Sequence, residues 1–200
     1  MKAYYTGIGS RNIPDTYFNL IVVIAEYMAK QGYILRSGGA DGSDTAFEIG
    51  CDRANGKKEI YLPWKNFNGN KSNLFFDNDI EAINIAKKYH PAYNGLSQGA
   101  KKLITRNGYQ VLGKDLKTPS KYIICYTDGT GGTSQALRIA EDIKINIPIF
   151  NLHYYEEPTN ALTDFKDFLI NPEKWALPFW LKITTILLWS IVVKYFFIFI

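Results

Sequence analysis

The chain has 200 residues, a formal net charge of +4, 46% hydrophobic residues and 21% charged residues. This length and apolar content fit one folded domain and exclude a globally disordered protein. From residue 171 onward there are three lysines and one acid, so residues 1–170 carry a net charge of only +2. A nearly neutral body has no general attraction for nucleic acid, and such binding would need a local basic patch.

The two cysteines, Cys51 and Cys125, lie among apolar neighbours and have no metal-ligand spacing to each other, to His90 or to His153. We therefore expect buried free thiols, no metal site and no cofactor. The first seven residues are too few and too polar for a signal peptide. We expect a reducing, cytoplasmic location.

Apolar runs and amphipathic stretches alternate along the chain. The runs predict strands at 2–6, 33–36, 58–62, 122–126 and 146–151. Spacings of three and four predict helices at about 15–31, 43–55, 77–89 and 96–112, and another after residue 133. This alternation predicts an α/β fold, a Rossmann-like parallel sheet of about five strands in the order 3-2-1-4-5 with helices on both faces. A helical insert at about 64–120 separates the third and fourth strands, within a domain that spans 1–170.

Three glycine-rich segments each follow a predicted strand. Their candidate binding residues are Gly7, Gly9, Ser10 and Arg11 in the first, Gly38, Gly39, Asp41, Gly42, Ser43 and Asp44 in the second, and Gly129, Thr130, Gly131, Gly132 and Thr133 in the third. In the predicted strand order these segments meet at the carboxyl edge of the sheet, where such folds bind ligands. Glycine allows close approach of the backbone, and helix N-termini attract anions, so we interpret the segments as a site for a phosphate-bearing ligand. For the first segment, the alternative is a tight strand-to-helix turn with a solvated Arg11.

Two acids follow the second glycine-rich segment. Asp44 and Glu48 are four residues apart and share one helix face. They could bind ribose hydroxyls, act as acid and base at a glycosidic bond, or simply stabilise the helix N-terminus. Both are therefore candidates for ligand contact and for catalysis.

A local basic cluster lies in the insert. Lys101, Lys102 and Arg106 fall within six residues, and Lys102 and Arg106 would share a helix face. The cluster is either a phosphate-binding patch or an ordinary solvated helix face.

Four segments together carry a resemblance to a known superfamily. They read T-G-I-G-S-R at 6–11, G-G-A-D-G-S-D-T-A-F-E at 38–48, G-G-T-S-Q-A-L-R-I-A-E at 131–141 and I-P-I-F-N-L at 147–152. This set resembles the SLOG superfamily of Rossmann-like domains, which includes the DNA-processing protein DprA, the LOG phosphoribohydrolases and the YspA- and YpsA-like proteins.

Motifs in the insert resemble one particular group within this superfamily. His90-Pro91, Arg106-Asn107 and V-L-G-x-D-L at 111–116 are similar to the phage-borne, DprA-like group called DNA recombination-mediator protein A. The resemblance covers roughly residues 1–170. It implies a Rossmann-like sheet, phosphate-containing ligands at the glycine-rich loops and a homo-oligomer.

The superfamily implies two further activities. In DprA the same pocket helps bind single-stranded DNA, and in the LOG enzymes a P-G-G-x-G-T-x-x-E motif cleaves a base–ribose bond. The position of that glutamate is occupied here by Ala136, which argues against phosphoribohydrolase activity and favours a binding protein over an enzyme.

Our first interpretation is a binding protein for a nucleotide or nucleotide derivative, such as an ADP-ribose-like ligand or a nucleoside phosphate. The second is a single-stranded DNA-binding recombination mediator. The third is a hydrolase of N-glycosidic bonds that uses Asp44 or Glu48.

The composition changes sharply near Trp175. Residues 175–200 are almost entirely apolar, and 183–200 contain a single charge, Lys194. A bilayer span needs about 20 apolar residues, so this tail is close to that length. A membrane contact, an oligomerisation segment and an end foreign to the rest of the chain are the three alternatives.

Overall fold

The protein is described from a computed structural model that covers residues 3–142 and 144–175. Its strands are β1 Tyr4–Gly9, β2 Ile34–Ser37, β3 Lys58–Ile60, β4 Tyr122–Tyr126 and β5 Ile149–Asn151. They form one parallel sheet in the order β3-β2-β1-β4-β5. The predicted α/β architecture and strand order are confirmed.

Helices cover both faces of the sheet. They are α1 Asp15–Lys30, α2 Ser43–Arg53, α3 Ile80–Tyr89, α4 Gln98–Leu112, α5 Gly131–Ala140 and α6 Pro158–Ile170. Successive strand residues point to opposite faces, so Ile124 packs in the core shared with α1, α2 and α6. Its neighbours Ile123 and Cys125 pack in the core shared with α3, α4 and α5. Helices α3 and α4 form the predicted insert between β3 and β4.

Strand β1 extends further than the sequence predicts. Gly7, Ile8 and Gly9 are paired with Ile124–Tyr126 of β4 and belong to the sheet, not to the loop that follows. The glycines make room for α2: a Cβ on Gly7 would lie 2.5 Å from Cγ of Phe47, and one on Gly9 would lie 2.5 Å from Oγ of Ser43. Both glycines therefore have a packing role, and the first loop begins at Ser10.

Other differences concern the ends of elements and the C-terminal part. Helix α5 begins at Gly131, so the two glycines predicted as loop form its first turn. Helix α6 was not predicted, although Ala161, Phe165 and Phe168 bury one of its faces. Of the predicted tail, only Trp175 lies within the described residues; its ring packs against Phe150 and Phe168. Within residues 3–142 and 144–175, no helix has the length and apolar character needed to cross a membrane.

Candidate functional site

A cavity of about 780 Å³ opens at the carboxyl edge of the sheet, beside the ends of β1 and β4. The chain turns in opposite directions on leaving these two neighbouring strands, and open α/β sheets bind ligands at such a switch point. The loops after β1 and β4 line the cavity through Gly9, Ser10, Arg11 and the segment 129–134.

The insert supplies the opposite wall of the cavity. Its lining residues are His90, Pro91, Ala92, Leu96, Ala100, Leu103, Ile104, Arg106, Asn107 and Gln110. Six of these ten lie on α4, which places a mixed apolar and polar helix face above the ends of the strands. The insert therefore determines much of the chemical character of the cavity.

The N-terminus of α5 points into the same space. Gly129 and Gly131 have φ of +86° and +66°, values that favour glycine, and both are open to solvent. Asp128 accepts hydrogen bonds from the backbone N–H and hydroxyl of Thr130, and no side chain caps the helix. The first N–H groups of the helix are thus available to an anionic ligand at the cavity wall.

The second glycine-rich loop contributes less than the sequence suggests. A Cβ on Gly42, whose φ is +74°, would lie 2.2 Å from the carbonyl oxygen of Arg11. The backbone N–H and hydroxyl of Ser43 both donate to the carbonyl of Ser10, at 3.1 and 3.0 Å. These contacts hold the first two loops together, and only Ala40 and Asp44 of this segment line the cavity.

A buried ion pair joins this loop to the insert. Nη1 of Arg106 lies 3.5 Å from Oδ2 of Asp44, and the two side chains are only 8% and 5% exposed. Burial raises the pKa of Asp44 to about 6, although Arg106 and a hydrogen bond from the Ala40 N–H act in the opposite direction. Burial likewise lowers the pKa of Arg106. The pair is costly to bury, which is typical of a functional site.

Several buried donors at the cavity lack a hydrogen-bond partner among the described residues. They are Nε of Arg106 and Nε2 of Gln110, while Nη1 of Arg106 has only its 3.5 Å ion pair with Asp44, and Nδ1 of His90 is a further buried nitrogen without a partner among the described residues. Arg106 and Gln110 are 8% and 2% exposed. A buried donor without an acceptor is unfavourable by about 1–3 kcal/mol, so a ligand that accepts from these groups would be bound strongly.

Two contacts fix α4 against α5. Nδ2 of Asn107 donates to the carbonyl of Gly132 and to Oε1 of Gln135, at 2.9 and 3.0 Å. Arg138 donates from Nη1 to the carbonyl of Tyr89 at 3.0 Å, which ties α5 to the end of α3. The two sides of the cavity are therefore braced through polar side chains that also line it.

The charge of the cavity is positive. Its lining includes Arg11, Arg106 and Arg138 against the single carboxylate of Asp44. Within residues 3–142 and 144–175, no cluster of three or more histidine, cysteine or acidic side chains could hold a metal ion. The electrostatics favour an organic anion over a cation.

The predicted binding residues divide into two groups. Those that line the cavity are Gly9, Ser10, Arg11, Asp44, Arg106, Gly129, Thr130, Gly131, Gly132 and Thr133. Those that do not are Gly7, Gly38, Gly39, Asp41, Gly42, Ser43, Glu48, Lys101 and Lys102. Glu48 does not line the cavity. Its carboxylate instead accepts hydrogen bonds from Nζ of Lys58 at 3.2 Å and from Nδ2 of Asn70 at 3.2 Å.

The residues of the predicted basic cluster differ in their burial. Arg106 is inside the protein, whereas Nζ of Lys102 pairs with Asp77 at 2.7 Å and Lys101 lies over the ring of Tyr93. All three cluster residues border a second, smaller cavity of about 110 Å³. They share a helix face as the four-residue spacing predicts, but they do not form an open patch.

Sequence reasoning did not assign a site role to five of the lining polar residues, which are His90, Asn107, Gln110, Ser134 and Arg138. His90 was considered only for metal-ligand spacing and in the insert's resemblance, and Gln110 was not considered. Gln110 could have been found, because it follows Arg106 by four residues and continues the same helix face. His90 and Arg138 are brought to the cavity by the packing of α3 against α5, for which the sequence has no local signal.

Comparisons with known proteins bear on the fold. No protein-family model and no curated protein matches the chain. The DNA processing protein A (DprA) of Streptococcus pneumoniae superposes with a TM-score of 0.53 at 14% identity, covering 85% of this chain and 61% of that one. The DprA of Helicobacter pylori, described as binding single-stranded DNA, gives 0.49 at 20% identity, covering 82% and 73%. The Moco carrier protein of Chlamydomonas reinhardtii gives 0.49 at 15%, covering 82% and 84%.

Fold and site together define a class of protein. The chain is a Rossmann-like α/β domain with a positively charged cavity at the switch point of its sheet. Its fold is similar to that of S. pneumoniae DprA. At this level of identity the similarity describes the fold alone.

Proposed function

We propose that the protein binds a phosphate-bearing nucleotide or nucleotide derivative in the cavity between the β1 and β4 loops. The observation that carries this proposal is the uncapped N-terminus of α5, which lines the same cavity as Arg11. Backbone N–H groups at a helix N-terminus and arginine side chains are the donors that proteins use for phosphate.

The remaining walls suit the rest of a nucleotide. Ile8, Leu96, Leu103 and Ile104 form apolar lining that could cover a base. The volume of about 780 Å³ lies within the range of about 300–1,000 Å³ typical of small-molecule sites. Donors for a phosphate and an apolar surface for a base together match the amphiphilic character of a nucleotide.

The glycine-rich loops and the fold together support membership of the SLOG superfamily, which we also propose. The resemblance of segments 38–48 and 131–141 was drawn from sequence, and the similarity of the fold to DprA agrees with it. A homo-oligomer, and a role of residues 175–200 in membrane contact or assembly, stay predictions.

A second candidate is single-stranded DNA binding. Arg11 and Arg138 are exposed at the cavity, so the phosphates of a polymer could reach them from solvent. This alternative is distinguished by salt, because polymer binding releases counterions and weakens steeply as salt rises.

Hydrolysis of an N-glycosidic bond has less support. Among the described lining residues, Asp44 is the sole carboxylate, and it is engaged by Arg106 and the Ala40 N–H. Ala136, at the position of the LOG glutamate, is fully buried inside α5. Glu48 lies outside the cavity.

The test is calorimetric titration of the full chain with AMP, ADP-ribose and inorganic phosphate, beside a fluorescent single-stranded oligothymidylate at two salt concentrations. We expect Arg11→Gln to weaken AMP about tenfold or more, since a charged hydrogen bond contributes about 1.5–3 kcal/mol. Arg53→Gln is the matched control, because Arg53 is exposed on α2 and does not line the cavity. If no nucleotide binds while the oligonucleotide binds with a steep salt dependence, DNA binding replaces this proposal.

A further inference from the structure

The Asp44–Arg106 pair is a distinct part of the cavity. Its two side chains lie 3.5 Å apart in the cavity lining, and their charges cancel. The other cationic groups of the lining are Arg11, in the loop after β1, and the N-terminus and Arg138 of α5, the helix that follows β4. The cavity thus has a positively charged part and a neutral polar part.

The charges around Asp44 indicate where a phosphate would bind. Arg106 on α4 faces the Asp44 carboxylate, and the Ala40 N–H of the same loop donates a hydrogen bond to it. Glu48, one turn further along α2, also acts on this carboxylate through its charge. A phosphate beside Arg106 would stand close to the Asp44 carboxylate and be repelled by it. Among the described lining residues, α5 and Arg11 supply donors and no carboxylate, so the positively charged part is the better phosphate site.

The neutral part needs a different ligand group. Nε of Arg106 and Nε2 of Gln110 are buried donors without a partner among the described residues, so they require acceptors. The Asp44 carboxylate accepts from the Ala40 N–H through Oδ2, and its two oxygens can accept further hydrogen bonds from a ligand. A hydroxyl can pair with both kinds of group at once, since its oxygen accepts while its proton is donated.

We propose that Asp44 and Arg106 bind the neighbouring hydroxyls of a ribose, and so select ribonucleotides over deoxyribonucleotides; this rests on the proposed nucleotide site. Asp44 accepts a hydrogen bond from one hydroxyl, and Arg106 donates to the hydroxyl oxygens. The phosphate of the same ligand lies at the N-terminus of α5. This arrangement assigns different groups of the cavity lining to the two polar parts of the ligand.

The test uses the wild-type chain and two pairs of ligands that differ by one hydroxyl. Ribose 5-phosphate is compared with 2-deoxyribose 5-phosphate, and AMP with 2′-deoxy-AMP, by calorimetric titration. Loss of a hydroxyl leaves buried polar groups unpaired, so we expect the deoxy member of each pair to bind about tenfold more weakly or worse. The sugar phosphates make the result independent of the base.

A variant assigns the effect to Asp44. Asp44→Asn keeps the shape of the side chain and an acceptor for the Ala40 N–H but removes the charge. We expect the preference for the ribo member to fall at least threefold in this variant. Asp52→Asn is the matched control, because Asp52 is exposed on α2 and pairs with Lys58 away from the cavity. Circular dichroism and thermal unfolding show whether each variant is folded.

The outcomes separate the two proposals. If the ribo and deoxy members bind equally well to the wild type, the ribose inference is overturned and the nucleotide site stands. If no member of either pair binds, the nucleotide site itself is overturned. Because the wild-type comparison needs no substitution, an unfolded Asp44→Asn protein does not prevent a decision.

Discussion

The guanidinium of Arg106 occupies the space above Gly38: a Cβ on that glycine would lie 1.2 Å from Nη1 of Arg106 and 2.7 Å from Nε2 of Gln110. The second glycine-rich loop is therefore covered by an arginine of the protein itself. Its first glycine holds a cation from α4 in place next to Asp44. The loop acts on the ligand through that arginine.

A substitution at Gly38 tests this relationship. Gly38→Ala is expected to displace the Arg106 guanidinium, weaken AMP binding about tenfold and lower the free energy of unfolding by about 1–3 kcal/mol through overpacking. Titration calorimetry and urea unfolding measure the two effects. Gly95→Ala is the control, since a Cβ at Gly95 meets open space. Unchanged AMP affinity in Gly38→Ala would contradict the positioning role.

The packing of α1 against α2 depends on a second glycine. A Cβ on Gly50 would lie 2.2 Å from the carbonyl oxygen of Val22 and 2.7 Å from Cβ of Ala25. We expect Gly50→Ala to lower the free energy of unfolding by about 2 kcal/mol or more, although alanine favours helix. Gly99→Ala, on α4 and in open space, is expected to raise it by up to about 1 kcal/mol. The midpoints of urea unfolding compare the two variants. Equal effects of Gly50→Ala and Gly99→Ala on stability would contradict the close contact of Gly50 with α1.

Glu48 provides a test of where the ligand is bound. It forms contacts with Lys58 and Asn70 and does not line the cavity, so Glu48→Gln should leave AMP affinity unchanged. The lost ion pair should lower stability by about 1 kcal/mol or less. The same protein, assayed by chromatography for free adenine from AMP, is expected to match the wild type. A large loss of affinity would extend the site toward β3.

The ribose preference should depend on pH through Asp44. Its pKa is about 6, so the carboxylate becomes protonated as the pH falls from 7.5 to 5. We expect the ratio of AMP to 2′-deoxy-AMP affinity to decrease over this range, because the neutral acid is a weaker acceptor. The phosphate also titrates near pH 6, but it does so in both ligands and cancels in the ratio. A ratio independent of pH would remove Asp44 from the sugar contact.

The same pKa has a consequence for stability. Since the pKa of Asp44 is raised above 3.8 in the folded protein, the folded state binds more protons than the unfolded state between about pH 4 and 6. The contribution of Asp44 is therefore most favourable below about pH 4 and is lost as the pH rises through 6. Urea unfolding of wild type and Asp44→Asn at pH 4.5 and 7 measures it. The free energy of unfolding of the wild type should rise relative to that of Asp44→Asn when the pH is lowered from 7 to 4.5.

The amino-acid sequence alone was enough to establish the architecture. Local patterns of period 2 and 3.6, together with glycine and proline positions, indicate the type of each element, and alternation of strands and helices implies a parallel sheet. The predicted strand order, and the prediction that the loops after β1 and β4 meet, followed from the parallel sheet. The end of β1 was misplaced because Gly7 and Gly9 are typical of loops, whereas here they pair with β4 and make room for α2.

The chemistry of the cavity depends on contacts between residues far apart in the chain. Arg106 lies more than sixty residues from Gly38 and Asp44, and only the packing of the insert helix brings its guanidinium to them. The same packing leaves Glu48 outside, although it shares a helix face with Asp44. Side-chain spacing along a helix shows which residues are neighbours, but the partner of a helix face is determined by long-range packing. The glycine-rich loop could be identified from the sequence, whereas its coverage by Arg106 could not.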